Sequence, residues 1–146
     1  SSRRVRDHIV AGEVSAAARC LGRPLRVPGV VMRGAGRGQS IGFPTANLSI
    51  WSHRACPSKG VYLAYAFLED ERYPAVVNVG IRPTFEDEDA CIIIEAHLLN
   101  YQGNLYGRRI SLDFVERLRD ERKFTSLDLL VSQINKDVSK ARSRLV

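Results

Sequence analysis

The sequence predicts a mainly β protein: a six-stranded antiparallel, Greek-key-like barrel with a C-terminal α-helix and an N-terminal helical extension. Three observations predict it. From residue 27 onward, short apolar runs follow one another with no helical period between them, which favours an antiparallel barrel over a parallel sheet with crossover helices. Residues 125–145 carry an apolar stripe at helical spacing. A second helical pattern occupies residues 3–21 and stops at Gly22.

In the first segment Val14, Ala17, Ala18 and Leu21 recur at i, i+3, i+4 and i+7, and Gly22-Arg23-Pro24 then reads as a linker. Strands are expected over 27–32, 61–68, 73–81, 91–99 and 110–118. In 110–118, Ile110, Leu112 and Phe114 fall on one face, opposite Ser111 and Asp113. In 91–99, Ile92, Ile94, Ala96 and Leu98 form an apolar face that should point into the barrel, leaving Cys91, Ile93, Glu95, His97 and Leu99 on the other. The last helix has Thr125 as its expected N-cap, Asp128 three residues on, and Phe124 and Leu129 at the staple positions. Leu127, Leu130, Val131, Ile134, Val138, Ala141 and Leu145 form its stripe, and Lys140, Arg142 and Arg144 suit the dipole at its end.

The 146 residues suit one domain with a sizeable core, and no apolar run approaches the ~20 residues of a membrane span. The start of the chain lacks the apolar segment of a signal peptide. The net charge of +6 would suit anionic partners, but the basic residues are dispersed, which favours a solvated basic surface over a nucleic-acid footprint. Cys20, Cys56 and Cys91 are odd in number and show no CxxC spacing, which argues against a zinc site or a disulfide framework and points to a reducing compartment.

The densest chemistry lies in residues 33–47. Gly34, Gly36, Gly38 and Gly42 would let backbone N–H groups approach a ligand, and Arg33 and Arg37 add forked donors suited to phosphate. Thr45 and Asn47 are neutral oxygen donors two residues apart, so in an extended segment both could face one hard cation such as Mg²⁺. The segment is neither a Walker A loop nor a dinucleotide fingerprint. A plain glycine-rich loop, with Thr45 and Asn47 stabilising a turn after Pro44, is the alternative. Glu95 stands among apolar neighbours, the partly desolvated setting that a general base at neutral pH requires. An exposed Glu95 paired with an arginine is the alternative, and His97 on the same face reads first as structural.

Gly36-Arg37-Gly38 followed by Gly42-Phe43-Pro44-Thr45-Ala46-Asn47-Leu48 resembles the signature of riboflavin kinases. Further blocks resemble that family in its order: Gly60-Val61-Tyr62, Asn78-Val79-Gly80, Pro83-Thr84-Phe85, Glu95-Ala96-His97-Leu98-Leu99, Leu105-Tyr106-Gly107 and Lys123-Phe124-x-Ser126-Leu127. The likeness covers roughly residues 28–145. It implies a cytoplasmic kinase that transfers phosphate from ATP to riboflavin, giving FMN and ADP with Mg²⁺ as cofactor. It implies Glu95 as catalytic base and Thr45 and Asn47 as metal ligands. Gly36, Arg37, Gly38 and Gly42 would form a flap over the phosphates, with Arg33 a further candidate. Leu105 and Tyr106 would line the adenine pocket, where a hairpin turn on Gly103-Asn104 is the plain alternative. Arg119, Glu121 and Phe124 would meet the flavin, although Asp120 replaces the proline usual in that segment and Phe124 also serves as a helix staple.

Residues 1–24 resemble the junction of bacterial two-domain flavin enzymes, with Arg3 where threonine is usual. The resemblance divides the chain into this extension, read as the end of a missing FMN adenylyltransferase domain, and a kinase domain over 25–146. From residues alone, a non-catalytic barrel that binds flavin or nucleic acid stays open.

Overall fold

The computed structural model describes residues 2–34, 37–50, 56–82 and 91–145, with the backbone alone described for Arg37, Gly38, Arg82 and Cys91. Gly36, Trp51, His53 and the Pro83-Thr84-Phe85 block lie outside the described residues.

The N-terminal extension is two helices rather than one: α1 (Ser2–Val10) and α2 (Val14–Leu21). The break falls at Gly12, whose φ of +79° no continuous helix contains, and a Cβ there would meet Ser58 Oγ at 2.6 Å and Tyr62 Oη at 2.9 Å. The chain therefore turns where it touches the barrel. Gly22 ends α2 as expected, in the left-handed region with its N–H on Ala18 O at 2.8 Å. Ile9, Val14 and Ala17 are buried in the same core as the barrel interior.

Six strands follow: β1 (Leu25–Met32), β2 (Ala46–Ser49), β3 (Gly60–Leu68), β4 (Glu71–Arg82), β5 (Cys91–Leu98) and β6 (Arg109–Arg119). They close a barrel in the order β1-β2-β5-β4-β3-β6, and every neighbouring pair is antiparallel. β2 and β3 are consecutive but not adjacent, so the chain crosses between them, as a Greek-key path requires. A single helical turn, α3 (Arg37–Ser40), interrupts the glycine-rich segment before β2.

Alternation governs the interior. Ile94, Ala96 and Leu98 are buried, while Ile93, Glu95 and His97 between them are half-buried on the outer face. On β6, Ile110, Leu112 and Phe114 point inward, and Phe114 meets the ring of Tyr62 edge to face at 5.3 Å. On the outside, Asp113 is held by Arg26 of β1 through two bonds of 2.7 and 3.0 Å.

The C-terminal helix α4 (Leu127–Arg144) covers part of the outer face. Its Ala141, with Leu145 just beyond, packs on Leu63 and Leu99 to make a second, smaller core. The cap differs from expectation. Ser126, not Thr125, is the N-cap, its Oγ accepting from Leu129 N at 3.2 Å. The helix starts one residue later than the cap signal implied, so Phe124 and Leu129 no longer stand at staple positions and Leu129 is exposed. Among the described residues no helix is long and apolar enough to cross a membrane.

Cys20 is exposed, whereas desolvation pushes the half-buried Cys56 thiol up to about 11. At pH 8 Cys56 should therefore alkylate roughly 100-fold more slowly than an ordinary exposed thiol such as Cys20. Timed iodoacetamide labelling read by peptide mass spectrometry measures this. The difference should vanish in denaturant, and equal rates in the folded chain would contradict the burial of Cys56.

Candidate active site

Strand register sets the site. Asn47 on β2 lies opposite Glu95 on β5, Glu95 opposite Asn78 on β4, Asn78 opposite Val61 on β3, and Val61 opposite Arg119 on β6. Directly opposed residues share a face of a sheet. Each of Asn47, Glu95 and Asn78 is flanked along its strand by buried inward residues, so the row runs across the outside of the barrel.

Two cavities meet this row: one runs along it, and the other touches it only at Asn47. The first, about 790 Å³, lies between the start of β2 and the segment 101–106, and includes Val31, Gln39, Leu98, Tyr101, Leu105 and Tyr106. The second, about 810 Å³, lies between the barrel and the N-terminal half of α4, and includes Asn78, Glu95, Arg119, Glu121, Phe124 and Ile134. Arg33, Gly34, Thr45 and Asn47 line both and form their common wall. The turn α3 reaches both sides: Gln39 lines the first cavity, Ser40 and Ile41 the second.

The wall is held from two directions. A Cβ on Gly34 would lie 1.7 Å from Asn47 Nδ2, so only glycine lets the backbone close on that amide. His97 Nδ1 donates to Pro44 O at 2.8 Å, and its ring meets Phe43 edge to face at 5.6 Å. Because a carbonyl only accepts, Nδ1 carries the proton. His97 thus fixes the turn that delivers Thr45 and Asn47, a positioning role. The oxygens of Thr45 and Asn47 are neutral, a donor set that fits Mg²⁺ when phosphate oxygens complete the shell. Among the described residues no group of three or more His, Cys, Asp or Glu side chains could hold a metal by itself.

The first cavity's mouth is an Asx turn, with Tyr106 N donating to Asn104 Oδ1 at 2.9 Å. Gly107 N donates to Val31 O and Arg108 O accepts from Val31 N, both at 2.9 Å, which ties this turn to β1. The guanidinium of Arg33 stands 5.1 Å from the centroid of the exposed Tyr106 ring, from which it could reach an anion in either cavity.

The second cavity's upper side depends on α4. Asp137, 2% exposed, receives Arg119 through Nη2 at 2.8 Å and Nε at 3.2 Å, and Gln133 Nε2 at 3.0 Å. Gln133 Oε1 in turn accepts from Arg122 Nη2 at 2.8 Å. Phe124 lies beside both arginines, 5.9 Å from Arg119 and 5.1 Å from Arg122. The carboxylate of Glu121 rests against Gly80, where a Cβ would come within 3.0 Å of Oε2. Asp120, in the position where proline is usual, pairs with Arg117 at 2.8 Å.

The residues assigned from sequence separate cleanly. Leu105 and Tyr106 line one cavity, Glu95, Arg119, Glu121 and Phe124 line the other, and Arg33, Thr45 and Asn47 line both. Gly42 turns with φ +89° directly before Phe43. Among the described residues no ion pair or hydrogen bond engages the Glu95 carboxylate, so the arginine-paired alternative does not hold there. Two residues carried signals that went unused. Asp137 is an acid on the apolar stripe between Ile134 and Ala141, and a buried acid needs a partner. Asn78 is a lone amide between Val77 and Val79 on a strand otherwise rich in valine.

Comparison with known proteins identifies the family. The family model described as riboflavin kinase matches residues 21–145. A bifunctional riboflavin kinase/FMN adenylyltransferase of Pseudomonas fluorescens is 40% identical over 143 residues, 98% of this chain and 45% of that protein. The chain thus spans about half the length of the curated relatives it matches. Among solved structures, one described as a macrolide-efflux protein from Streptococcus pneumoniae superposes with a TM-score of 0.92 at 34% identity, over 97% of this chain and 46% of that one. The efflux description stays with that protein. Riboflavin kinase from Trypanosoma brucei shares the fold, with a TM-score of 0.62 at 23% identity over 84% of this chain and 80% of that one.

Arg119→Ala should leave the Asp137 carboxylate buried without its cation, at a cost of about 3–5 kcal/mol in urea unfolding. Replacing both, as Arg119→Met with Asp137→Leu, should recover most of that loss. An unchanged midpoint for Arg119→Ala would contradict the pairing.

Proposed function

The chain belongs to the riboflavin kinase family, and from that premise we propose that it transfers the γ-phosphate of ATP to the 5′-hydroxyl of riboflavin, giving FMN and ADP. The observation that carries the reading is the common wall. Donors suited to phosphate and metal, Arg33, Thr45 and Asn47, stand between a cavity for each substrate, with Glu95 directly opposite Asn47 on the second side.

In this reading ATP occupies the first cavity, with its adenine at Leu105 and Tyr106 and its phosphates at the wall; the family resemblance would make Gly36, Arg37, Gly38 and Gly42 a flap over those phosphates. Riboflavin occupies the second, with its ring near Arg119, Glu121 and Phe124 and its 5′-hydroxyl at Glu95. Glu95 accepts the hydroxyl proton as the 5′-oxygen bonds to the γ-phosphorus, and the bond to the β–γ bridging oxygen breaks to release ADP. Thr45 and Asn47 would hold Mg²⁺, which when bound neutralises charge on the phosphates. Arg33 adds a fixed positive charge at the same wall. Most of the acceleration then comes from positioning and charge, as is usual in phosphoryl transfer.

The relatives are bifunctional and this chain covers 45% of their length, which supports a parent protein with a linked FMN adenylyltransferase domain; in this reading that domain precedes the barrel and residues 1–24 are its last part. α1 and α2 then anchor that domain, since their apolar residues enter the barrel's core.

Incubation with riboflavin, ATP and Mg²⁺, read by chromatography, should yield FMN that disappears when the metal is chelated. Glu95→Gln should lower kcat by about 10²–10⁴-fold. No FMN from the folded chain would overturn the reading, and a near-normal rate for Glu95→Gln would remove the base assignment.

A further inference from the structure

Asn78 Oδ1 is buried and has no hydrogen-bond partner among the described residues. Native proteins rarely leave such an acceptor unsatisfied, because its desolvation is not repaid within the folded chain. Its register neighbours cannot repair this. Val61 is apolar, and an ionised Glu95 only accepts. Strand backbone N–H groups are engaged in the ladders on either side. The residue lines the second cavity, so a half-turn of its amide, which exchanges Oδ1 and Nδ2, presents the acceptor to a donor that a ligand brings there.

The row gives the ligand's direction. Along it, Glu95 lies one strand from Asn78, and Arg119 lies two strands further. With the reacting hydroxyl at Glu95 and the flavin ring toward Arg119, the chain that joins them passes Asn78. One strand spacing is about 4.8 Å, within the reach of the secondary hydroxyls of a ribityl chain. Each of these hydroxyls is a donor, and the ring carries few.

We propose that Asn78 accepts a hydrogen bond from a secondary hydroxyl of the substrate's polyol chain, and so selects hydroxylated flavins over flavins with a plain alkyl group. This rests on riboflavin occupying the second cavity. The residue would act in recognition and would leave proton transfer to Glu95.

The test compares riboflavin with lumiflavin, which has the same ring but a methyl in place of the ribityl chain, by quenching of flavin fluorescence. Asn78→Leu preserves volume and removes the acceptor. It should weaken riboflavin binding about 5- to 50-fold and leave lumiflavin affinity within about twofold. Asn78→Ala provides the same comparison should the leucine variant not fold, and retained lumiflavin binding certifies the fold of either. Equal losses for both flavins, or no loss for riboflavin, would overturn the proposal. A wild-type chain that makes FMN yet binds the two flavins equally would overturn it while leaving the kinase reading intact. A wild-type chain that binds neither flavin would overturn the occupancy of the second cavity and the proposal together.

Discussion

Everything at this site depends on the register between β2 and β5. The pairing of Asn47 with Glu95 places a neutral oxygen donor and a carboxylate side by side on the outer face of the barrel. A slip of β2 by one residue would turn Asn47 inward and bring Ala46 and Leu48, which now fill the core, to the surface, while β5 keeps its facing through its pairing with β4. Core packing therefore enforces the geometry of the proposed site. The two requirements are one constraint, since strand alternation ties the inner face to the outer one.

The outer face of a barrel is by itself too flat to bind a small molecule deeply. The depth here comes from what lies across it. α4 is fastened at its far end by Ala141 and Leu145 against Leu63 and Leu99. Its nearer half stands over the row, where Leu130, Ile134 and Asp137 line the second cavity. The Arg119–Asp137 pair joins this helix to the last residue of β6. A pair so desolvated adds little net stability over an apolar substitute, but it fixes where the guanidinium points. On the other side, Arg33, Gly34, Thr45 and Asn47 make the partition, fixed by Gly34 against Asn47 and by His97 against Pro44.

Much of the fold was legible because its signals are local. Strand alternation in 91–99 identified the inward face correctly, and the stripe on the last helix located α4. β2 was harder to read, being four residues long and preceded by a proline, glycines and a helical turn. The single N-terminal helix failed at Gly12, where contact with Ser58 and Tyr62, distant in sequence, decides the backbone. The cap moved from Thr125 to Ser126 because both are good caps and the choice belongs to packing. At the site, residue types pointed to Glu95, Thr45 and Asn47. No reading of one strand could show that Asn78 would stand beside Glu95, or that Asp137 would hold Arg119, since both follow from pairings across the chain.

The central claim is that two separate cavities meet at one wall, so that both substrates are held at once. Its most direct test is the affinity of a fluorescent ADP analogue with Mg²⁺, measured without riboflavin and with riboflavin at saturation. The geometry predicts that the nucleotide still binds in the presence of riboflavin, forming a ternary complex. Displacement of the nucleotide by riboflavin, with the two competing for one place, would contradict it.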